Sequence, residues 1–204
     1  MKKFLEYTIF RENFNFIMPP LKQEVDKIYF KNELVEDETQ KYFEGEGFIN
    51  AYSGAKVSIA RVLSNLYPME FKFRGKNVKS IEGVLQGIKY KDKKTQNLVL
   101  NYSGVNAYHI RACNQLDFWG SDGVLYWQGK PMKRDSEEYQ LFIDELYYSA
   151  SKNPLYVRAL LSTGNKYLLH HIGRENPQET VLTRYEYELR LNSLRAFLKQ
   201  KNDK

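Results

Sequence analysis

The sequence predicts a mainly helical α+β domain with a few short strands. Four or five stretches carry apolar residues at intervals of three and four, the spacing of helices that bury one face. Strand-like runs are short, and they do not alternate with helices as βαβ units do. The chain has 204 residues, of which 42% are hydrophobic, so one domain with a substantial core fits its length.

The first part of the chain differs from the rest. Residues 4–10 resemble a strand, Pro19 and Pro20 interrupt the chain, and residues 33–46 hold six acidic residues against one lysine. We therefore predict a variable N-terminal extension over residues 1–48 that packs on a domain formed by residues 49–200.

A hairpin and a helix are predicted next. Residues 69–73 and 76–78 read as two strands around a tight turn at Arg74 and Gly75. Ser80 is a candidate N-cap for a helix whose buried stripe contains Ile81, Leu85 and Ile88. Glu82 and Gln86 lie one residue further along, so they share a face beside that stripe, where a cleft can form.

Five more elements follow. Residues 95–102 predict a weaker helix ended by Gly104. Residues 136–149 predict a strong helix whose stripe includes Tyr139, Phe142, Ile143, Leu146 and Tyr147. A short helix begins at Asn153 and Pro154 and reaches Leu161, and residues 166–172 form a strand or an irregular segment. Thr183 and Glu186 have capping-box spacing, which starts the last helix.

Charge and composition narrow the classes of partner. The net charge of +6 favours an anionic partner, and aromatic residues, 15% of the chain, fill cores or stack on flat rings. Cys113 is the only cysteine, so an intrachain disulfide is excluded and a cytoplasmic location is expected. The N-terminal residues show no signal peptide, and the chain shows no apolar run of membrane-spanning length.

Familiar catalytic motifs are poorly represented. His109, His170 and His171 have no metal-ligand spacing, so we expect no metal. Cys113 follows His109 by four residues but lacks the surroundings of a catalytic thiol. Glu82 is the better candidate, because the first turn of a helix favours a charged carboxylate. The alternative is that Glu82 only caps its helix, that Asn65 only holds a turn, and that Trp127 lies in the core.

Eight blocks of the sequence resemble the YbiA-like family, also called NADAR, in the order in which that family carries them. They extend over about residues 50–198 and stand at residues 51–54, 63–68, 80–86, 125–131, 136–139, 158–161, 171–173 and 179–183. The chain departs from the pattern at residues 183–186, where compact members carry Asn-Arg-Leu-Gly. The resemblance implies a compact single domain that cleaves N-glycosidic bonds and needs no cofactor.

The resemblance also implies roles for individual residues. Glu82 matches the catalytic glutamate, and either Trp119 or Trp127 matches a tryptophan of the site. The residues expected to bind substrate are Ser64, Asn65, Tyr67, Gln86, Arg111, Trp119 and Trp127. Arg61, Arg74, Lys79 and Arg111 are available as donors to a diphosphate.

The expected reaction removes ADP-ribose from guanine in nucleic acid or nucleotides. A carboxylate suits this chemistry, because breaking a ribosyl C–N bond builds positive charge on the sugar. Three alternatives stay open: an N-glycosidase for phosphorylated riboflavin-pathway intermediates, a module that binds ADP-ribose or NAD without cleaving it, and a nucleic-acid binder driven by charge.

Overall fold

A computed structural model describes residues 44–45, 47–113 and 123–202, with side chains from residue 47 onward except for residues 111–113. The described residues form seven helices and seven short strands. The helices are α1 (Ser58–Leu63), α2 (Ile81–Gly87), α3 (Lys93–Leu100), α4 (Gly104–Cys113), α5 (Glu137–Ala150), α6 (Pro154–Ser162) and α7 (Arg184–Asn202). The strands are β1 (Glu44–Gly45), β2 (Phe48–Asn50), β3 (Phe71–Phe73), β4 (Lys76–Val78), β5 (Val124–Trp127), β6 (Lys130–Lys133) and β7 (Tyr167–Leu169). The predicted fold class, mainly helical α+β, is confirmed.

The strands form three small sheets. β2 lies between β1, which is antiparallel to it, and β7, which is parallel to it, with Asn50 opposite Leu169. β3 and β4 form one hairpin, and β5 and β6 form another. In the first hairpin Arg74 and Gly75 have φ of 44° and 80°, as a two-residue turn with left-handed backbone requires. The predicted hairpin is therefore confirmed.

Helix α5 lies at the centre of the core. Its predicted stripe, from Tyr139 to Tyr147, is completely buried. The helix packs against β3, β6, α2 and α7. One continuous apolar cluster therefore joins elements that precede α5 in the chain to α7, which follows it. This packing fixes α5 against α2, the helix that carries Glu82.

Two predicted caps are formed. The Ser80 hydroxyl accepts hydrogen bonds at 2.9 Å from the backbone N–H groups of Gly83 and Gly104, so it caps α2 and joins it to α4. Thr183 Oγ1 accepts from the Glu186 N–H at 3.2 Å, and Glu186 Oε2 accepts from the Thr183 N–H at 2.7 Å. This is the reciprocal capping box expected at the start of α7.

Other elements differ from the prediction. Gly104 does not end a helix but begins α4, and the preceding helix starts at Lys93 because Asp92 caps it, accepting from the Thr95 N–H at 2.7 Å. Helix α1 was not predicted either. The segment left open over residues 166–172 contains β7. The predicted strand at residues 4–10 and most of the predicted N-terminal extension lie outside the described residues, so the predicted boundary after residue 48, which β2 crosses, stays a prediction.

Candidate functional site

Glu82 is the second residue of α2, and its side chain is half-buried. Gln86, one turn later, donates a hydrogen bond from Nε2 to Glu82 Oε1 at 2.6 Å. Lys89 in turn donates from Nζ to Gln86 Oε1 at 2.7 Å. The predicted shared face of Glu82 and Gln86 is therefore real, and the chain of donors holds one carboxylate oxygen at a defined position.

The loop at residues 64–68 holds the start of α2 from the other side. The Asn65 carbonyl accepts the Glu82 backbone N–H at 2.9 Å, which satisfies a donor that the first helical turn leaves without an intrahelical partner. The Ser64 hydroxyl accepts the Leu66 N–H at 3.2 Å and so tightens the same loop. Asn65 thus contacts Glu82 through the backbone, and Ser64 shapes the loop that carries Asn65.

Two buried tyrosines support this loop from the core. The Tyr147 hydroxyl donates to Asn65 Oδ1 at 2.7 Å, and the Tyr187 hydroxyl donates to the Leu63 carbonyl at 2.7 Å. Burial raises the pKa of both phenols, and the charge of Glu82 adds a smaller upward contribution to the pKa of Tyr187. Both hydroxyls therefore stay protonated as donors across the physiological pH range.

A histidine lies behind the same tyrosines. The His170 ring packs edge-on against the Tyr187 ring at 4.7 Å, and its Nδ1 lies 2.8 Å from the Ala51 carbonyl. Burial lowers the pKa of His170, which outweighs the hydrogen bond to Ala51. The ring is therefore neutral at pH 7 and donates from Nδ1.

A cavity of about 250 Å³ opens beside the loop. Its lining joins the 64–68 loop to α1, to the start of α4 and to the turn before α1; the residues are Ser53, Arg61, Leu66, Tyr67, Pro68, Ser103, Val105 and Asn106. Tyr67 is thus placed at a cavity, and its role in substrate binding stays a prediction. The Glu82 side chain is not part of this lining, although Asn65, which binds the Glu82 backbone, directly precedes the lining residue Leu66.

The remaining predicted site residues lie elsewhere. Trp127 is 8% exposed and packs among Phe73 and Phe142, with ring centroids 5.1 and 5.4 Å away. It is a core residue here, and a stacking role would require its ring to be uncovered. Arg111 lies on α4, with its side chain outside the described part of the structure, and Trp119 is also outside it.

The candidate diphosphate donors are dispersed. Arg74 pairs with Glu145 at 2.7 Å, and Lys79 pairs with Glu70, so both already have acidic partners. Arg61 lines the cavity, and its Nη1 donates to the carbonyls of Ala55 and Lys56 at 2.7 and 2.9 Å. Of the described donors, Arg61 is the one placed at the cavity.

The sequence predicted that Tyr147 lies in the core. It did not predict that the Tyr147 hydroxyl also binds the side chain of Asn65. The signal was the hydroxyl itself, because a buried tyrosine needs a polar partner that a phenylalanine would not. Ser103 and Asn106 were missed because α4 was not predicted.

Across the described residues, no group of three or more His, Cys, Asp or Glu side chains is arranged to hold a metal ion. Nor does that part of the chain contain a helix both long and apolar enough to span a membrane.

Comparisons with known proteins give a family match and a partial structural similarity. Residues 57–196 match the model of the family described as Bacteriophage protein GP30.3. The NMR structure of the E. coli protein YbiA aligns with a TM-score of 0.48 at 18% sequence identity, covering 80% of this chain and 93% of that chain. A comparison with curated proteins gave no match.

Proposed function

The chain belongs to the Bacteriophage protein GP30.3 family, and we propose that it hydrolyses N-glycosidic bonds, releasing ADP-ribose from guanine bases of nucleic acid or nucleotides. One observation carries the proposal. The Glu82 carboxylate is held by Gln86 at 2.6 Å, and its backbone is bound by a loop that also lines a cavity. The ordered YbiA-like blocks of the sequence support the same assignment.

Glu82 supplies what the reaction needs. As the C–N bond breaks, positive charge develops on the ribose, and a carboxylate next to the anomeric carbon stabilises it. The same carboxylate accepts a proton from the attacking water, whose oxygen bonds to the anomeric carbon, while guanine leaves with the electrons of the broken bond and is protonated. The donor from Gln86 fixes Oε1, so the carboxylate does not have to reorient during the reaction.

The cavity is the proposed site for part of the substrate. Its volume of about 250 Å³ lies just below the usual range of ligand pockets, roughly 300–1,000 Å³, and so suits a nucleoside-sized fragment rather than a whole dinucleotide. Tyr67 contributes an aromatic ring and Arg61 a guanidinium at this position, which match a base and a phosphate. The proposal places the distal end of the ADP-ribose there.

The direct test uses an oligonucleotide carrying ADP-ribosylated guanine. We expect the wild-type protein to release free ADP-ribose, detected by mass spectrometry, and Glu82→Gln to be slower by about 10²–10⁴-fold. Glu138→Gln is a matched control, because Glu138 is also the second residue of a helix, α5, and is exposed. No release by the wild type, or equal release by Glu82→Gln, would reject the proposal.

A second candidate is a module that binds ADP-ribose or NAD without cleaving it. The observation that favours it concerns Glu186, which lies in the block that departs from the family pattern. The carboxylate of Glu186 forms structural hydrogen bonds. Glu186 closes the capping box and accepts from Arg134 Nη1 at 2.9 Å and from Gln140 Nε2 at 2.7 Å. Calorimetry that shows tight binding with the ligand recovered intact would favour this module. Release of base from a phosphorylated riboflavin-pathway intermediate alone would favour the other N-glycosidase.

A further inference from the structure

Five lysines come together beyond the C-terminal end of α2. We call this set the lysine surface: Lys89, Lys91, Lys93, Lys94 and Lys130. Four of them stand in the segment that runs into α3, and Lys130 stands at the tip of the β5–β6 hairpin. With Asp92 as the acid of that segment, five positive charges and one negative charge leave +4, a large share of the chain's net +6.

A buried glutamine holds these segments together. Gln96, on α3, is completely buried and donates from Nε2 to the carbonyls of Gly87, Tyr90 and Tyr126. Its Oε1 accepts from the backbone N–H and the side chain of Gln128, both at 2.8 Å. The end of α2, the start of α3 and the hairpin tip therefore form one rigid base for the lysines.

Direct contacts place Lys91 and Lys93 on this base. The Lys91 ammonium lies 6.0 Å from the Tyr126 ring centroid, within the range of a cation–π contact. A Cβ atom added to Gly129, at the hairpin tip, would lie 3.1 Å from Lys93 Cε, so Lys93 lies against the tip next to Lys130. Among the described residues, Lys91, Lys93, Lys94 and Lys130 form no salt bridge.

The charge preference of a helix N-terminus does not explain why Lys93 and Lys94 stand at the start of α3. Lys93 and Lys94 occupy the first turn of α3, which holds no acidic residue. Positive charge is unfavourable there, because the N-terminal end of a helix already carries partial positive charge. The charge of Lys94 favours the ionised form of the N-cap Asp92, which offsets only part of this cost, and the remaining excess of positive charge suits an anionic partner.

We propose that the lysine surface binds the phosphodiester backbone of a nucleic-acid strand. Lys89 begins this surface and reaches Glu82 through Gln86, two hydrogen bonds away. Lys89 stands seven positions after Glu82 and two after the end of α2, about 10 Å along the helix axis at 1.5 Å per residue. That is the rise of about three stacked nucleotides at 3.4 Å each, so a strand with its modified base at Glu82 also passes over the lysines. The five ammonium groups of this surface match several consecutive phosphates of a strand, more than the single backbone phosphate that a mononucleotide offers. This inference rests on the proposed function, and the substrate that it names is a modified base within a nucleic-acid strand.

The first experiment measures binding without catalysis. The probe is a fluorescein-labelled, unmodified 12-nucleotide single-stranded DNA, followed by anisotropy from 50 to 200 mM salt. Five phosphate contacts give a slope of about −3.5 in log affinity against log salt, and hence about a 100-fold loss over that range. The triple variant Lys91→Gln, Lys93→Gln, Lys130→Gln should lower the slope by about 2 and weaken binding at 50 mM by at least tenfold.

Matched controls separate this surface from general charge. The triple variant Lys72→Gln, Lys166→Gln, Lys201→Gln removes the same charge from exposed positions on β3, before β7 and near the end of α7, and should keep the slope. Glu82→Gln should bind the probe like the wild type. Equal binding by the two triple variants, or equally tight binding of polyglutamate, would overturn the proposal. The thermal midpoint of the first variant should be unchanged or higher, which excludes misfolding.

The second experiment tests the inferred substrate. For ADP-ribosylated guanine in an oligonucleotide, kcat/KM of the lysine-surface variant should fall at least tenfold, whereas for an ADP-ribosylated guanine mononucleotide it should stay at the wild-type value. An equal fall on both substrates would overturn the inference about strands. Failure of the wild type on both substrates, with DNA binding intact, would reject the proposed hydrolase and leave the binding surface standing.

Discussion

Removing the hydroxyl of Tyr147 should loosen the loop that holds Glu82. The Tyr147 ring is completely buried in the core, and its hydroxyl donates to Asn65 Oδ1 at 2.7 Å. Tyr147→Phe leaves the ring packing in place and deletes this one hydrogen bond. Asn65 then loses the contact that orients its side chain, next to the carbonyl that binds the Glu82 N–H.

The structure sets the size of the effect. A neutral hydrogen bond contributes about 0.5–1.5 kcal/mol net, and an acceptor left unsatisfied in the interior costs about 1–3 kcal/mol. Asn65 is half-buried, so water can reach its oxygen and replace part of the loss. We therefore expect about 1 kcal/mol of destabilisation, which lowers the thermal midpoint by about 2–4 °C for a protein of this size.

Tyr156→Phe is the matched control. Tyr156 is also completely buried, but its hydroxyl has no hydrogen-bond partner among the described residues. Its removal should be neutral or slightly stabilising, because it deletes a buried polar atom that nothing satisfies. Urea denaturation of the two variants, with equal m-values, isolates the contribution of the Tyr147 hydrogen bond.

Activity gives a second readout. A displacement of about 1 Å at a catalytic group can cost about 10²-fold in rate, and a loosened loop should give part of that. We expect Tyr147→Phe to lower kcat for ADP-ribose release about tenfold at a temperature where the protein stays folded. Equal stability of the two phenylalanine variants, or full activity of Tyr147→Phe, would refute the reasoning about the loop.

Two further predictions concern packing and pH. Gly104→Ala should destabilise the domain by about 3 kcal/mol or more, because its Cβ would lie 1.6 Å from the Leu66 carbonyl oxygen. Gly75→Ala, also at positive φ but with open space around the Cβ, should cost about 1 kcal/mol, and similar melting temperatures for the two would contradict the clash. Burial lowers the pKa of His170, so the unfolded chain takes up its proton first as the pH falls below about 6.5 and stability declines from pH 7 to pH 5. His170→Gln should flatten that decline in urea titrations, and an unchanged slope would show that other groups cause it.

Local signals predicted a large part of the fold. Ser80 and the Thr183–Glu186 spacing predict helix starts, because these side chains can bind nearby backbone N–H groups. The structure contains the hydrogen bond of Ser80 to Gly83 and that of Thr183 to Glu186. The stripe of α5 follows from helical periodicity alone. The contact between Glu82 and Gln86 is also local, because residues four apart on a helix face the same way.

Other features have no local signal. Helix α4 packs on α2, yet it exposes Val105 and Tyr108 and buries the small residue Ala107, so its apolar pattern is weak. Gly104 resembles a helix terminator in sequence, yet its hydrogen bond to Ser80 and its approach to Leu66 make it a helix start. The cavity was beyond prediction for the same reason, because α4 forms one of its walls.

The parallel pairing of β2 with β7 also has a consequence for the order of events during synthesis. Asn50 lies opposite Leu169, 119 positions later in the chain, so β2 waits for β7 until most of the protein has been made. Closing so long a loop is slow compared with forming helices. During that interval the edge of β2 is open to other chains, and a nascent polypeptide in that state is at its most vulnerable to aggregation.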